Sequence, residues 1–287
     1  MERKSMIESV LFPVDFSPSC VAMAPFVKRS ARMFSARVTL LHVVEPPASG
    51  FELMTRSPRE IEEDREQVAR ERLHSFLASD FPVNGCTRLV CTGDPATRIA
   101  EIARDRHFDI IVMPTHAGTF RRTLLGSTTA KVLNDADCPV LTTQHAQTIS
   151  PRPLEHREWV CAVSLEVDSE RVLTFACQAA KTVHANLSLI HAIPAEPGLE
   201  VRFDLEERVQ SKERTLARER VEELKRKLCS NAPVKVVVGP VKDALIEAAR
   251  RLSADALVIG RSAEVGVRLR DLTYAVVRDA PCPVVSV

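Results

Sequence analysis

The sequence predicts an α/β protein of two tandem doubly wound domains, each with a five-stranded, mostly parallel sheet. Three observations lead there. The chain repeats itself, short apolar runs alternate with amphipathic segments, and several runs are apolar throughout. "ARVTLLHVV" at Ala36 matches "ANLSLIHAI" at Ala185, "FDIIVMP" matches "ADALVIG", and "DADCPVLT" matches "DAPCPVVS". His42 and His191 lie 149 positions apart, Asp109 and Asp255 lie 146 apart, and Cys138 and Cys282 lie 144 apart. The second copy therefore carries small deletions. Each copy has the size of one domain. Between them "QHAQTISPRPLEHRE" is polar, holds two prolines and lacks periodicity, as a linker does. The expected division is domain 1 over 1–143, a linker over 144–158 and domain 2 over 159–287.

Within the first copy, "SVLFPV" reads as a strand. A helix follows from Ser17 as cap and Pro18 at the first helical position, with Pro25 expected to kink it. "RVTLLHVV" is the second strand. Ser57, Pro58 and Glu60 open a helix with a capping-box pattern, and Ile61, Val68, Leu73, Phe76 and Leu77 mark its apolar stripe. "CTRLVCTG", "PATRIAEIARDR", "FDIIVMP", "STTAKVLNDA" and "CPVLTT" continue the alternation as strand, helix, strand, helix, strand. In the second copy "WVCAVSL" and "LSLIHAI" are strands, and Leu205, Val209, Leu216, Leu224 and Leu228 form the stripe of the long helix. Runs such as "DIIVM" and "ALVIG" suit parallel strands covered on both faces.

Composition narrows the class. With 39 basic and 38 acidic side chains the net charge is +1, which argues against a protein that coats nucleic acid. No apolar run approaches the length of a membrane span, and the N-terminus lacks the apolar segment of a signal peptide. The eight cysteines form no C-x-x-C pair and fall mostly in apolar segments, so buried reduced thiols and a cytoplasmic protein are expected.

In sheets of this kind ligands bind at the carboxyl ends of the strands, at the topological switch point. Neither a P-loop nor a G-x-G-x-x-G follows the first strand. The anion-binding candidate comes later, in "MPTHAGTFRRTLLGSTTAKVL", where Gly126, Ser127 and Thr128 open a helix with no carboxylate in its first turn. Ser127 can also serve simply as the cap of that helix and Gly126 as its turn. Asp15 reads either as a turn residue ahead of the Ser17 helix or as part of the site. His42 and His191 read as packed strand histidines, because no second ligand is spaced for a metal.

At "VLFPVDFSPSC", "LLHVVEP", "TGDPATRIAEIA" and "DIIVMPTHAGTFRRTLLGSTTAKVLNDADCPVLTT" the chain resembles the universal stress proteins, in the tandem form with two such domains. The resemblance spans nearly the whole chain. It implies a Rossmann-like fold of the adenine nucleotide alpha hydrolase type. In the ATP-binding branch of that family the loop after strand four reads G-x-x-G, nine residues, then G-[ST], and an acid ends strand one near the ribose or base. The implied nucleotide-binding set here is Pro13, Val14, Asp15, Val43, Met113, Pro114, Ala117, Gly118, Gly126, Ser127 and Thr128. Two departures weigh against it. Pro114 and Ala117 stand where the first two glycines belong, and eight residues separate Ala117 from Gly126. Arg121 and Arg122 read first as solvated loop residues and second as phosphate contacts, and His116 as a loop hydrogen-bonding residue.

The second copy lacks the same features. The offsets carry Asp15 onto Ser164, Gly126 onto Arg270 and Ser127 onto Asp271, while Gly260 takes the place of Pro114. Asp271 is expected to cap its own helix and repel an anion. The resemblance thus implies a stress-response protein that binds ATP or a related adenine nucleotide, with Mg²⁺, in domain 1 only. Hydrolysis would be slow at most, and a protein partner is implied. The competing reading is a nucleotide-free dimeric scaffold. An ATP pyrophosphatase-like enzyme ranks below both, because "VDFSPSC" is not a Gly-rich phosphate loop. The family's habit of pairing through its last strand implies an intrachain pseudo-dimer built on "CPVLTT" and "CPVVSV", and is compatible with a homodimer.

Overall fold

The computed structural model describes residues 6–46, 57–115, 125–143, 157–194, 209–228, 231–261 and 267–287, and of residues 209–211 and 267–271 the backbone alone. The chain divides into two compact units, the first mainly residues 1–141 and the second mainly 151–287. The candidate residues Ala117 and Gly118 lie outside the described residues, as do His116, Arg121, Arg122, Leu205 and most of the expected linker.

In the first unit β1 (Ser9–Pro13), α1 (Pro18–Phe34), β2 (Arg37–Val44), α2 (Pro58–Ser75), β3 (Thr87–Thr92), α3 (Pro95–Asp105), β4 (Ile110–Pro114), α4 (Ser127–Asp135) and β5 (Val140–Thr143) follow in order. The strands lie in the order β3-β2-β1-β4-β5. In the second unit the elements are β6 (Glu158–Ala162), α5 (Ser169–Thr182), β7 (Asn186–Ile193), α6 (Val209–Leu228), β8 (Val234–Val238), α7 (Val241–Arg251), β9 (Ala256–Ile259), α8 (Val267–Asp279) and β10 (Val284–Ser286). Its strand order, β8-β7-β6-β9-β10, is the same arrangement. The pairs β1–β2, β2–β3 and β1–β4 are parallel, as are β6–β7, β7–β8, β6–β9 and β9–β10. Because parallel crossovers are right-handed, the reversal of direction after β3 sends α3 and α4 to the face opposite α1 and α2. Every residue of β4 is buried, as a strand covered on both faces must be.

Local signals act as the sequence predicts at most helix starts. The Ser17 hydroxyl accepts from the Cys20 amide, and Pro18 occupies the first turn of α1. Ser57 and Glu60 close a complete capping box on α2. Pro25 stands inside α1, which continues through it as one 17-residue helix. The stripe of α2 differs from expectation. Ile61, Ala69 and Leu73 face inward, while Val68 is 64% exposed, and Phe76 and Leu77 lie beyond the helix end. The long helix α6 repeats the slip, with Ala217 and Val221 buried, Leu224 and Leu228 half-buried and Leu216 exposed. In each helix an alanine takes the buried place and the larger aliphatic residue one position earlier turns outward.

Two devices fix the strands at their amino ends. Asp109 Oδ2 accepts from the Glu8 amide at 2.8 Å, the Ser9 amide at 2.9 Å and the Ser9 hydroxyl at 2.8 Å. This ties the start of β4 to the start of β1. Asp255 Oδ2 does the same for the Arg157 and Glu158 amides at 2.7 and 3.0 Å. On the outer side of the first sheet, the Arg88 guanidinium donates to the carbonyls of Leu73, Phe76, Phe81 and Cys86. One side chain thereby satisfies the carbonyls left over where α2 ends and the chain turns into β3.

The cysteines require one correction. Cys20, Cys86, Cys91, Cys138, Cys161 and Cys282 are thiols, but Cys177 on α5 is disulfide-bonded. Burial pushes the Cys161 and Cys282 thiols up to about 12, which keeps them protonated and unreactive. Among the described residues no helix is long and apolar enough to cross a membrane.

Removing the Asp109 carboxylate strips a charged acceptor from three donors. Asp109→Ala is expected to cost about 2 kcal/mol in urea unfolding. Glu63→Ala, which removes an exposed α2 ion pair with Arg59, is expected to leave the unfolding midpoint unchanged.

Candidate functional site

The strand order reverses between β1 and β4, and the two strands run side by side with Val10 opposite Ile110 and Leu11 opposite Ile111. Their carboxyl ends, with that of β2, therefore lie at one edge of the sheet. Pro13 closes β1 and Val14 and Asp15 follow it. Val43 lies in β2 opposite Cys91, and Met113 and Pro114 end β4. Gly126, Ser127 and Thr128 open α4, which starts from the end of β4. The Gly126 amide donates to the Thr115 carbonyl at 2.9 Å, and the buried Thr129 hydroxyl donates to the Pro114 carbonyl at 3.1 Å.

The start of α4 differs from the other helix starts of this unit. α1, α2 and α3 are capped by the side chains of Ser17, Ser57 and Asp94. α4 has Gly126 as its N-cap, no side-chain cap hydrogen bond and no acid in its first turn. Ser127, read as an alternative cap, is instead the first helical residue, and it is exposed. A helix start of this kind directs amide donors and the positive end of the dipole outward without an internal acceptor. Pro114 brings no amide to the site; its carbonyl anchors Thr129.

Asp15 is exposed, and its Oδ1 accepts from the Ser17 amide at 2.9 Å and from the Cys20 thiol at 3.1 Å. Among the described residues its Oδ2 takes no hydrogen bond. Asp15 is thus a turn residue ahead of α1 that still presents one carboxylate oxygen at the edge of the sheet. Burial, and next the negative charge of Asp15, push the Cys20 thiol up to about 12. Val14 is consumed by the scaffold. Its amide donates to the Leu41 carbonyl at 2.8 Å, and its carbonyl accepts from His42 Nδ1 at 2.8 Å. A carbonyl only accepts, so His42 carries a proton on Nδ1. His42 is therefore a strand histidine that holds the end of β1.

Beside Asp15, Phe16 adopts a left-handed φ of 63°, uncommon for a residue with a side chain. Its ring centroid lies 4.3 Å from that of His42 and 5.0 Å from that of Phe76, and the Arg72 guanidinium sits 4.2 Å over it. The stack closes the ends of β1 and β2 against α2. At the end of β3, Gly93 holds a φ of 143°, and a Cβ there would meet Arg98 Cγ at 2.7 Å, so the position requires glycine.

The second unit repeats the scaffold without the Asp15 carboxylate or the Gly126-Ser127 pair. His191 Nδ1 donates to the Val163 carbonyl at 2.7 Å, the Val163 amide donates to the Ile190 carbonyl at 2.9 Å, and Leu165 takes the left-handed place of Phe16 with φ 65°. Ser164 stands where Asp15 stands, its hydroxyl 3.1 Å from that of Ser169. The expectation for Asp271 is corrected. α8 begins at Val267, so Asp271 is the fifth helical residue and not a cap. In the repeat register α8 starts four residues before α4. Among the described residues no group of His, Cys, Asp or Glu is placed to hold a metal.

Sequence reasoning did not find the roles of Thr129 and Cys20. Thr129 had a signal: it recurs as the buried Thr273, while its neighbours Ser127 and Thr128 do not recur.

Fold and site geometry define a doubly wound α/β protein with its candidate ligand edge at the switch point of the first sheet. The sequence profile of the universal stress protein family matches residues 6–144 and again 157–287. The chain belongs to that family and carries it in two tandem copies. Universal stress protein MJ0531 of Methanocaldococcus jannaschii is 29% identical over 146 residues, covering 48% of this chain and 82% of its own. A universal stress protein of Thermus aquaticus, named for its place in a QAH/OAS sulfhydrylase 3′ region, is 29% identical over 140 residues, covering 47% of this chain and 98% of its own. The crystal structure of a universal stress protein from Archaeoglobus fulgidus matches 99% of this chain and 98% of its own, with a TM-score of 0.72 at 20% identity. That match speaks to the fold.

The anchor of α4 is testable. Thr129→Val leaves the Pro114 carbonyl without its buried donor. It is expected to cost about 1 kcal/mol in urea unfolding and to speed amide exchange at Gly126.

Proposed function

We propose that this protein is a nucleotide-responsive universal stress protein whose first copy takes ATP or a related adenine nucleotide and whose second copy takes none. The observation that carries the reading is the uncapped, acid-free start of α4 at the edge of the sheet that also presents Asp15. Amides of Ser127 and Thr128 and their hydroxyls suit phosphate oxygens, Gly126 allows close approach, and Asp15 Oδ2 suits a hydroxyl or amino donor of the nucleoside. Mg²⁺ would accompany the phosphates as their counter-ion. Val14 and Pro114 shape the site without donating to it, and Val43 and Met113 supply apolar wall. The second copy pairs Ser164 with a helix that starts a turn early, which supports a regulatory or structural role for it.

In this reading occupancy of the first copy biases a surface read by a protein partner, and the protein senses nucleotide without turning it over at a useful rate. The domains are taken as 1–143 and 159–287 joined by 144–158. A homodimer is compatible with this reading, and the protein works in the cytoplasm. Pro114 favours a second reading, a nucleotide-free interaction scaffold, because it replaces an amide donor at the loop entrance.

Calorimetric titration with ATP and Mg²⁺, on protein freed of carried-over nucleotide, separates the two. The expected outcome is one site per chain. Asp15→Ala is expected to weaken binding by roughly tenfold or more, and Gly126→Arg to abolish it. Heat absent for ATP, ADP and AMP on folded protein would replace the sensor reading with the scaffold.

A further inference from the structure

We propose that Cys20 is a positioning residue for Asp15: its buried S–H, together with the Ser17 amide, holds Oδ1 and leaves Oδ2 as the acceptor turned to the ligand. The three residues bond to one another, and the Pro13 carbonyl, 4.0 Å from Cys20 Sγ, is the more distant acceptor for the thiol. The Ser17 amide reaches Oδ1 at 2.9 Å, the Cys20 thiol reaches the same oxygen at 3.1 Å, and the Cys20 amide returns to the Ser17 hydroxyl at 3.4 Å. Two donors on one oxygen fix the carboxylate plane, which a lone exposed aspartate would leave free to rotate. Cys20 is 1% exposed, so water does not compete for its proton. The burial that keeps the thiol protonated also keeps it a donor at every physiological pH.

The repeat supplies an independent observation. The offset that carries Asp15 onto Ser164 carries Cys20 onto Ser169, and these two side chains also meet, oxygen to oxygen at 3.1 Å. The second copy thus keeps the contact between these two positions but makes both partners neutral hydroxyls. Where the carboxylate is lost, the thiol is lost with it. A cysteine serving only to fill space at the start of α1 would not need to change together with the residue five places before it.

What Oδ2 receives rests on the nucleotide reading above; the hold on Oδ1 does not. Two measurements on the full chain separate them. The first is the S–H stretching band of Cys20, isolated as the infrared difference between wild type and Cys20→Ala. It is expected at the low frequency of a thiol bonded to a carboxylate, and Asp15→Asn is expected to raise it. The second is ATP titration of the Cys20 variants. Cys20→Ala is expected to weaken ATP binding about fivefold and Cys20→Ser to restore it to within about twofold. In the Asp15→Asn background Cys20→Ala is expected to add nothing further. A band that Asp15→Asn leaves unmoved overturns the proposal, and so does a Cys20→Ala loss that persists in full without the carboxylate. If wild type takes no ATP, the nucleotide reading falls and the S–H band alone decides the role of Cys20.

Discussion

The register between β1 and β4 is the constraint on which the rest of the first unit depends. These two strands are adjacent in the sheet although two strands and three helices separate them in the chain. Asp109 sets the register at the amino ends by gathering the donors of Glu8 and Ser9 on one oxygen. At the carboxyl ends His42 grips the Val14 carbonyl, and Thr129 and Gly126 fasten α4 to the last residues of β4. Slipping this pair by one residue would exchange the side chains of β1 between two packed faces and carry Asp15 away from the start of α4. The site is therefore a consequence of strand pairing, assembled from segments more than a hundred residues apart.

A protein that contains the same domain twice separates scaffold from function within one chain. Both copies keep the carboxylate at the amino ends, the histidine on the strand-one carbonyl, the left-handed residue after strand one and the threonine in the last helix. Both also keep a left-handed glycine after their third strand, Gly93 and Gly239. The carboxylate, the histidine and the left-handed residues each satisfy a backbone partner or a backbone conformation, so they serve the fold whether or not anything binds. At the carboxyl ends the copies differ at the exposed Asp15 against Ser164, at the buried Cys20 against Ser169, and at the start of α4 against the earlier start of α8. The carboxylate and the thiol give way to hydroxyls while the fold is kept, so these side chains are not what the fold depends on.

Much of the fold was legible because it rests on periodicity and on repeat. The strands, the caps at Ser17 and Ser57, and the order of elements follow from apolar runs and capping residues that act locally. The helix stripes were read less well. A valine and a leucine were assigned inward at Val68 and Leu216, where the alanines beside them make the contact. Hydrophobicity ranks side chains by transfer energy, whereas burial on a helix follows the angular position around its axis, and the alanines hold the inward angle. Asp271 was misplaced because a repeat offset transfers positions but not helix lengths. The Cys177 disulfide was missed because single cysteines carry no spacing signal. The roles of Cys20 and Thr129 stayed hidden for a related reason: each acts through a hydrogen bond set by how a strand end turns into the helix that follows it, which no residue pattern announces.

The central claim is that the two copies differ in ligand capacity at the same place in the same fold. A crystal structure of the full chain grown with a non-hydrolysable ATP analogue and Mg²⁺ tests it most directly. The triphosphate is expected against the amides of Ser127 and Thr128, the nucleoside within hydrogen-bond reach of Asp15 Oδ2, and no nucleotide at Ser164. Nucleotide in both copies, in the second alone, or in the first but away from Asp15 and the start of α4, would contradict it.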